Sequence, residues 1–166
     1  MRELKDNGLD NDWWTTKSCP RARKVCMNKR RVQCGVCASC LLRRQSLLAA
    51  GLDEGKDEYS WANLSAPSLC QAANPGFRPT VTNDERQAKC GVYDLAALGS
   101  LLDTDAGGKR IADASAELAV HENAREGDVA RKLGRLLIAH REEWRNFIAA
   151  QKSDSFLKRW LEILQC

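Results

Sequence analysis

Cys34-Gly35-Val36-Cys37-Ala38-Ser39-Cys40 places three thiols within seven residues, and the chain runs on through Leu41-Leu42-Arg43-Arg44 and Leu47-Leu48-Ala49-Ala50 to Gly51. Cys19 lies upstream in Thr16-Lys17-Ser18-Cys19-Pro20, which completes a C-x14-C-x2-C-x2-C arrangement. Four thiolates are the ligand set of a closed structural zinc site, because Zn²⁺ takes four soft or borderline donors in a tetrahedron. Two-residue gaps let neighbouring thiolates converge on one ion, and the longer gap staples on a distant segment. Cys26 is the rival for the fourth position, at C-x7-C-x2-C-x2-C spacing. The plain alternative is a set of reduced cysteines in a core. Cys37 and Cys40 stand at i and i+3 before the apolar run, so the spacing predicts a helix whose first turn carries two ligands and whose end is Gly51. Free N–H groups and the macrodipole favour thiolates there.

Other uses of the cysteines fit less well. A bacterial ferredoxin run needs a cysteine three residues after its third one, followed by proline. Here those positions hold Arg44 and Gln45. Closely spaced C-x-x-C-x-x-C thiols make poor disulfide geometry. Met1-Arg2-Glu3-Leu4-Lys5-Asp6 has no apolar run behind it, so no signal peptide is expected. No stretch approaches the eighteen or so uninterrupted apolar residues of a membrane span. The expected setting is cytoplasmic, with no membrane partner. The remaining thiols Cys70, Cys90 and Cys166 are scattered and need no role.

A length of 166 residues suits one domain, or one domain with a frayed end, and the net charge of +4 is mild. Its distribution is uneven. From Lys17 to Arg44 there are nine basic residues (Lys17, Arg21, Arg23, Lys24, Lys29, Arg30, Arg31, Arg43 and Arg44) and no acidic one. Four thiolates around a divalent ion leave about −2 of formal charge, so one reading is that this run simply neutralises the centre. The alternative reading is a basic surface for phosphate, nucleotide or RNA. The aromatics are not interleaved with the arginines as a base-stacking platform needs, so nucleic acid is not the favoured partner.

Residues 1–12 are polar and expected to fray, and residues 13–64 hold the metal segment. Asp53-Glu54-Gly55-Lys56-Asp57-Glu58 reads as a solvated turn leading to an extended Tyr59–Trp61. Residues 65–82, with Pro67, Pro75, Gly76 and Pro79, read as a linker. Residues 83–166 read as a helical bundle. Asn83 is taken as the N-cap of a helix through Val92, Leu95, Leu98 and Leu102, and Asp105-Ala106-Gly107-Gly108 as its break. An amphipathic Ile111–Val120 follows, then a longer helix from Val129 to Ile148. Ser153 or Asp154 is the expected cap of a last helix burying Phe156, Leu157, Trp160, Leu161 and Leu164. The fold class is mostly α, with a four-cysteine zinc-binding segment ahead of a helical bundle. Gly107-Gly108-Lys109-Arg110 lacks the first glycine and the Ser or Thr of a phosphate loop, so it reads as a turn. His140 lies on the apolar face, between Leu136 and Trp144, and reads as a hydrogen-bonded, half-buried histidine. Trp144, Phe147, Phe156 and Trp160 recur at helical spacing, which means core or interface.

The cluster resembles a known family. Ser18-Cys19, then Cys34-Gly35-Val36-Cys37-Ala38-Ser39-Cys40-Leu41-Leu42-Arg43, then Ala50-Gly51-Leu52, is similar to the C-terminal zinc segment of 7-cyano-7-deazaguanine synthase over about residues 13–61. That queuosine-pathway family has relatives in bacterial anti-phage operons, and the helical part beyond Ser65 looks more like such an extended relative. The resemblance implies Cys19, Cys34, Cys37 and Cys40 as zinc ligands. It also implies a parallel α/β domain with a Ser-Gly-Gly-x-Asp-Ser loop, in which ATP activates a carboxylate that ammonia converts through an amide to a nitrile. This chain has no such loop and no run of buried strands. On this reading Met1 begins a truncated frame, a C-terminal fragment or a split subunit, and no catalytic residue is expected in it. Its partners are the α/β nucleotide-binding domain, in cis or in trans, and a second copy as a homodimer; ATP enters only through that absent domain. The competing expectation is a stand-alone zinc module that binds nucleic acid or a protein.

Overall fold

The Cys34–Cys37 turn, here termed the knuckle, and the helix after it set the geometry of the N-terminal part. In the computed structural model, the described residues are 18–20, 26–27, 30–52, 58–77 and 81–163. The fraying expected of residues 1–12 and most of the acidic turn, residues 53–57, lie outside them. Two two-residue strands, β1 (Cys26–Met27) and β2 (Arg30–Arg31), pair antiparallel with Cys26 opposite Arg31. The first helix, α1, spans Ala38–Ala49. Cys37 is extended (φ −75, ψ 162) and is its N-cap, with the Leu41 amide donating to the Cys37 carbonyl at 2.9 Å. Cys40 sits in the first turn, so one ligand candidate caps the helix and the other lies within it. Gly51 ends α1 as expected. It takes φ +65, its amide donates to the Leu48 carbonyl at 3.0 Å, and the Leu52 amide reaches the Leu47 carbonyl at 2.9 Å. That pair of bonds is a Schellman closure, which needs a left-handed residue where glycine stands.

The chain returns past the knuckle in extended form. Gln33 forms a parallel bridge to Tyr59, and Trp61 an antiparallel one to Ala73. Gln33 N–H donates to Glu58 O at 3.0 Å, Ser60 N–H to Gln33 O at 2.9 Å, and Trp61 N–H to Cys34 O at 3.0 Å. Tyr59 and Trp61 are thereby buried, and Trp61 meets Phe77 edge-on with ring centroids 4.7 Å apart.

Beyond this point the chain is helical: α2 (Val81–Ser100), a 3-10 turn (Leu101–Asp103), α3 (Asp105–His121), α4 (Glu126–Ala149) and α5 (Phe156–Ile163). The fold is therefore mostly α, with the four-cysteine cluster ahead of a helical bundle. None of the described helices is long and apolar enough to cross a membrane.

Two compact units result. One holds the described residues up to Asp94 and those from Phe147 onward; the other is Leu95–Asn146. The division falls within α2 and α4 and not in the 65–82 stretch. That stretch is irregular, with a 3-10 turn at Cys70–Ala72, yet Ala66, Leu69 and Ala72 are buried and the Phe156 amide donates to the Ala66 carbonyl at 2.9 Å. Its apolar positions belong to the first unit's core, which also holds Leu41, Leu47, Val92, Phe156 and Leu157. On α5 Trp160 is buried as expected and Leu161 half-buried, while Leu164 and Cys166 lie outside the described residues. In the second unit Val129, Leu137 and Trp144 are buried, and Arg141 pairs with Asp103 at 2.9 Å. His140 is buried as well, with Nε2 2.9 Å from the Leu95 carbonyl. That bond occupies the ring in a structural role.

Three helix boundaries differ from expectation. Asn83 is inside the first turn of α2, not its N-cap, because the helix begins at Val81. Asp105-Ala106-Gly107-Gly108 does not break a helix; it opens α3, and the break is the preceding turn. Thr104 is the reason, since its Oγ1 accepts from the Gly107 amide at 3.0 Å. Gly107 also packs where a Cβ would collide with the Leu101 carbonyl oxygen. The cap of α5 is Ser155, not Ser153 or Asp154: its buried Oγ accepts from the Lys158 amide at 3.3 Å. Thr104→Ala removes the α3 cap, and we expect the unfolding free energy to drop by about 0.5–2 kcal/mol. Urea denaturation of the two proteins measures it.

Candidate metal centre

The knuckle, α1 and the Ser18–Pro20 segment bring four sulfurs together. The Sγ atoms of Cys19, Cys34, Cys37 and Cys40 all lie within 4.8 Å of one another, and all four residues are buried. Cys34 Sγ is 3.8 Å from Cys40 Sγ, and Cys37 Sγ is 3.9 Å from Cys19 Sγ. A disulfide needs about 2.05 Å between sulfurs, so these are four separate thiols. Backbone amides point at them: Cys34 N–H donates to Cys19 Sγ at 3.4 Å, and Cys37 N–H to Cys34 Sγ at 3.4 Å. Such donors stabilise thiolate over thiol. The four thiols could hold one metal ion.

Charge is unevenly shared within the cluster. Hydrogen bonds from Cys34, then from Cys37 and Cys40, hold the Cys19 thiol far below its ordinary range. Cys34 and Cys40 are pushed far above it, first by their hydrogen bonds to Cys19 and further by burial. For Cys37 the bond to Cys19 raises the value, but those from Cys34 and Cys40 bring it down to about 7. Buried sulfurs this close cannot all ionise unaided, and a cation at their centre removes that conflict.

Two glycines fix the surroundings. Gly35 has φ +90, and a Cβ there would lie 2.5 Å from the Trp61 carbonyl oxygen and 2.9 Å from Tyr59 Cβ. The tight turn between Cys34 and Cys37 thus lies directly against the Tyr59–Trp61 segment. At Gly91 a Cβ would lie 2.6 Å from the Ala38 nitrogen and 3.1 Å from the Cys37 carbonyl carbon. Helix α2 therefore lies against the start of α1, where the cysteines are.

Arg44 closes the same region. Its guanidinium donates to the carbonyls of Ala62 at 2.7 Å and Trp61 at 3.1 Å, lies 3.5 Å from that of Gly35, and sits over the Tyr59 ring at 4.6 Å. Arg43 is buried, and Arg31 is exposed. Lys17, Arg21, Arg23, Lys24 and Lys29 lie outside the described residues, and Arg30 is described by its backbone alone. Among the described residues of the basic run, then, two of the three side chains, Arg43 and Arg44, are turned to the fold.

Spacing alone found the cysteines. It missed Gln33, Arg44, Tyr59 and Trp61 as supporting residues. A signal was present in that Tyr59 and Trp61 follow an acidic stretch as large apolar groups. No periodic pattern, however, links them to the knuckle. Cys70 and Cys90 are exposed and separate from the cluster, as expected. No family model, curated protein or solved structure matches the chain.

Proposed function

We propose that the four cysteines hold one structural zinc ion, and that the chain serves as the zinc-bearing portion of a 7-cyano-7-deazaguanine synthase-like, ATP-dependent ligase. The observation that carries the first part is the sulfur spacing. Zinc–thiolate bonds of about 2.3 Å in a tetrahedron set the sulfurs about 3.8 Å apart, and the short edges here are 3.8 and 3.9 Å. The donors are all sulfur and all buried, the ligand set of a structural site, so on this reading the centre holds the fold together. The Arg44 guanidinium near the knuckle offsets part of the charge of four thiolates around a divalent ion.

The second part rests on the sequence pattern. Its support is that the accompanying residues have physical tasks in the motif. Gly35 makes the turn between the cysteines, Cys37 and Cys40 open a helix, and Gly51 closes that helix. The ATP chemistry belongs to an α/β domain. The one glycine pair that invited comparison with a phosphate loop, Gly107-Gly108, lies in the first turn of α3 after a 3-10 turn, not after a strand. The expected result is that the chain alone forms no AMP and hydrolyses no ATP at physiological salt. Activity on a deazaguanine carboxylate appears when an α/β nucleotide domain is joined in cis or supplied in trans. Saturable, salt-insensitive ATP binding to the isolated chain contradicts this reading. Failure of the joined protein, together with tight binding of RNA or DNA, favours the stand-alone zinc module.

A further inference from the structure

We infer that Gln33 is the positioning residue that holds Cys19 at the centre and so decides which cysteine is the fourth ligand. This rests on the metal-centre reading above and extends it. Cys34, Cys37 and Cys40 are delivered by one short turn and the helix it opens. Cys19 is delivered by a separate arm, fifteen residues before Cys34, and something must fix that arm in place.

Gln33 is fully buried and directly precedes Cys34. Its Oε1 accepts from the Ser18 backbone amide at 3.3 Å and from Ser18 Oγ at 3.2 Å. The residue it grips is thus the immediate neighbour of Cys19. Its backbone is locked on the other side by the bonds to Glu58 and Ser60, and Ser60 Oγ is 3.4 Å from the same Gln33 carbonyl. The Ser18 amide can only donate, so it dictates which end of the Gln33 side chain faces it. The other end, Nε2, is then buried with no hydrogen-bond partner among the described residues. A buried amide with an orphaned donor is a poor choice for stability, since an apolar side chain of similar size leaves no such cost. Its use here makes sense as a specific grip on the Ser18–Cys19 arm. No other described side chain bonds that arm apart from the cysteines of the cluster. Cys26 stands eight residues before Cys34 and on a different segment, β1.

The test is thiol alkylation of the zinc-loaded full chain, mapped cysteine by cysteine by peptide mass spectrometry, with zinc content measured on the same samples. In the native protein Cys19, Cys34, Cys37 and Cys40 are protected. In Gln33→Leu, Cys19 becomes reactive at least tenfold faster while Cys34, Cys37 and Cys40 stay protected, and zinc affinity in a chelator competition falls about 10–100-fold. Ser18→Ala, a change at an exposed residue that keeps the backbone bond, shows the same selectivity with a smaller increase. Should Gln33→Leu fail to fold, Ser18→Ala alone decides the matter. Equal exposure of all four cysteines, or none, in the folded variants overturns the role of Gln33. Absence of zinc or of protection in the native chain instead overturns the metal-centre reading itself.

Discussion

Serine in place of Cys37 leaves the purified chain with essentially no zinc and melts the first unit. Cys37 does three things at once: its sulfur lies 3.9 Å from Cys19 Sγ, its amide donates to Cys34 Sγ, and its backbone caps α1. A serine oxygen cannot replace a thiolate on zinc, and a structural zinc site contributes on the order of 10 kcal/mol to the fold it organises. The buried neighbours Cys34 and Cys40 are then left without a shared cation, in a region that also anchors Trp61 and Tyr59. Metal analysis reads the loss directly, and circular dichroism reads the loss of α1. Strong chelators act on the native chain in the same direction. So does acid, because the ligands must be deprotonated to bind and affinity falls as pH falls. A Cys37→Ser protein that keeps stoichiometric zinc contradicts the assignment.

Gly35→Ala has the second largest expected effect. At φ +90 a Cβ is strained by about 1–2 kcal/mol, and here it also meets the Trp61 carbonyl at 2.5 Å and Tyr59 Cβ at 2.9 Å. Overpacking of this kind adds about 1–3 kcal/mol, and the obstacle includes backbone, which cannot rotate away. The turn that sets Cys34 against Cys37 has to open, so stability and zinc affinity fall together. Gly51→Ala is the control. It has φ +65 with nothing within 4 Å of its Cβ position, so only the conformational cost of about 1–2 kcal/mol applies. Urea midpoints for the two variants, each measured with zinc in excess, show whether the close approach at Gly35 matters. Equal shifts in the two would count against it.

How much of this was legible in the sequence depended on how local the cause was. The knuckle, the helix after it and its stop at Gly51 are read from residues a few positions apart, where spacing and backbone preference act directly. The helix of Val129 to Ile148 is legible from its 3.6 period and becomes α4. The errors came where a neighbour outweighed a preference. Gly107-Gly108 looked like a break, but Thr104 caps α3 just before it, and the missing Cβ of Gly107 lets the turn pack against Leu101. Asp154 and Ser153 looked like caps, but the buried Ser155 has the geometry. Residues 65–77 are irregular, as a loop or linker is, and Ala66, Leu69 and Ala72 among them are core. The grip of Gln33 on Ser18 and the bonds of Arg44 to Trp61 and Ala62 link residues fifteen to eighteen positions apart through hydrogen bonds. No periodicity or motif spacing reports such contacts.

The central claim is one zinc ion bound by four sulfurs, and X-ray absorption at the zinc edge of the purified full chain tests it most directly. The account predicts one zinc per chain and a single shell of four sulfurs at about 2.3 Å with no nitrogen or oxygen neighbours. A shell containing oxygen or nitrogen at about 2.0–2.1 Å, or a well-folded chain without metal, would contradict it.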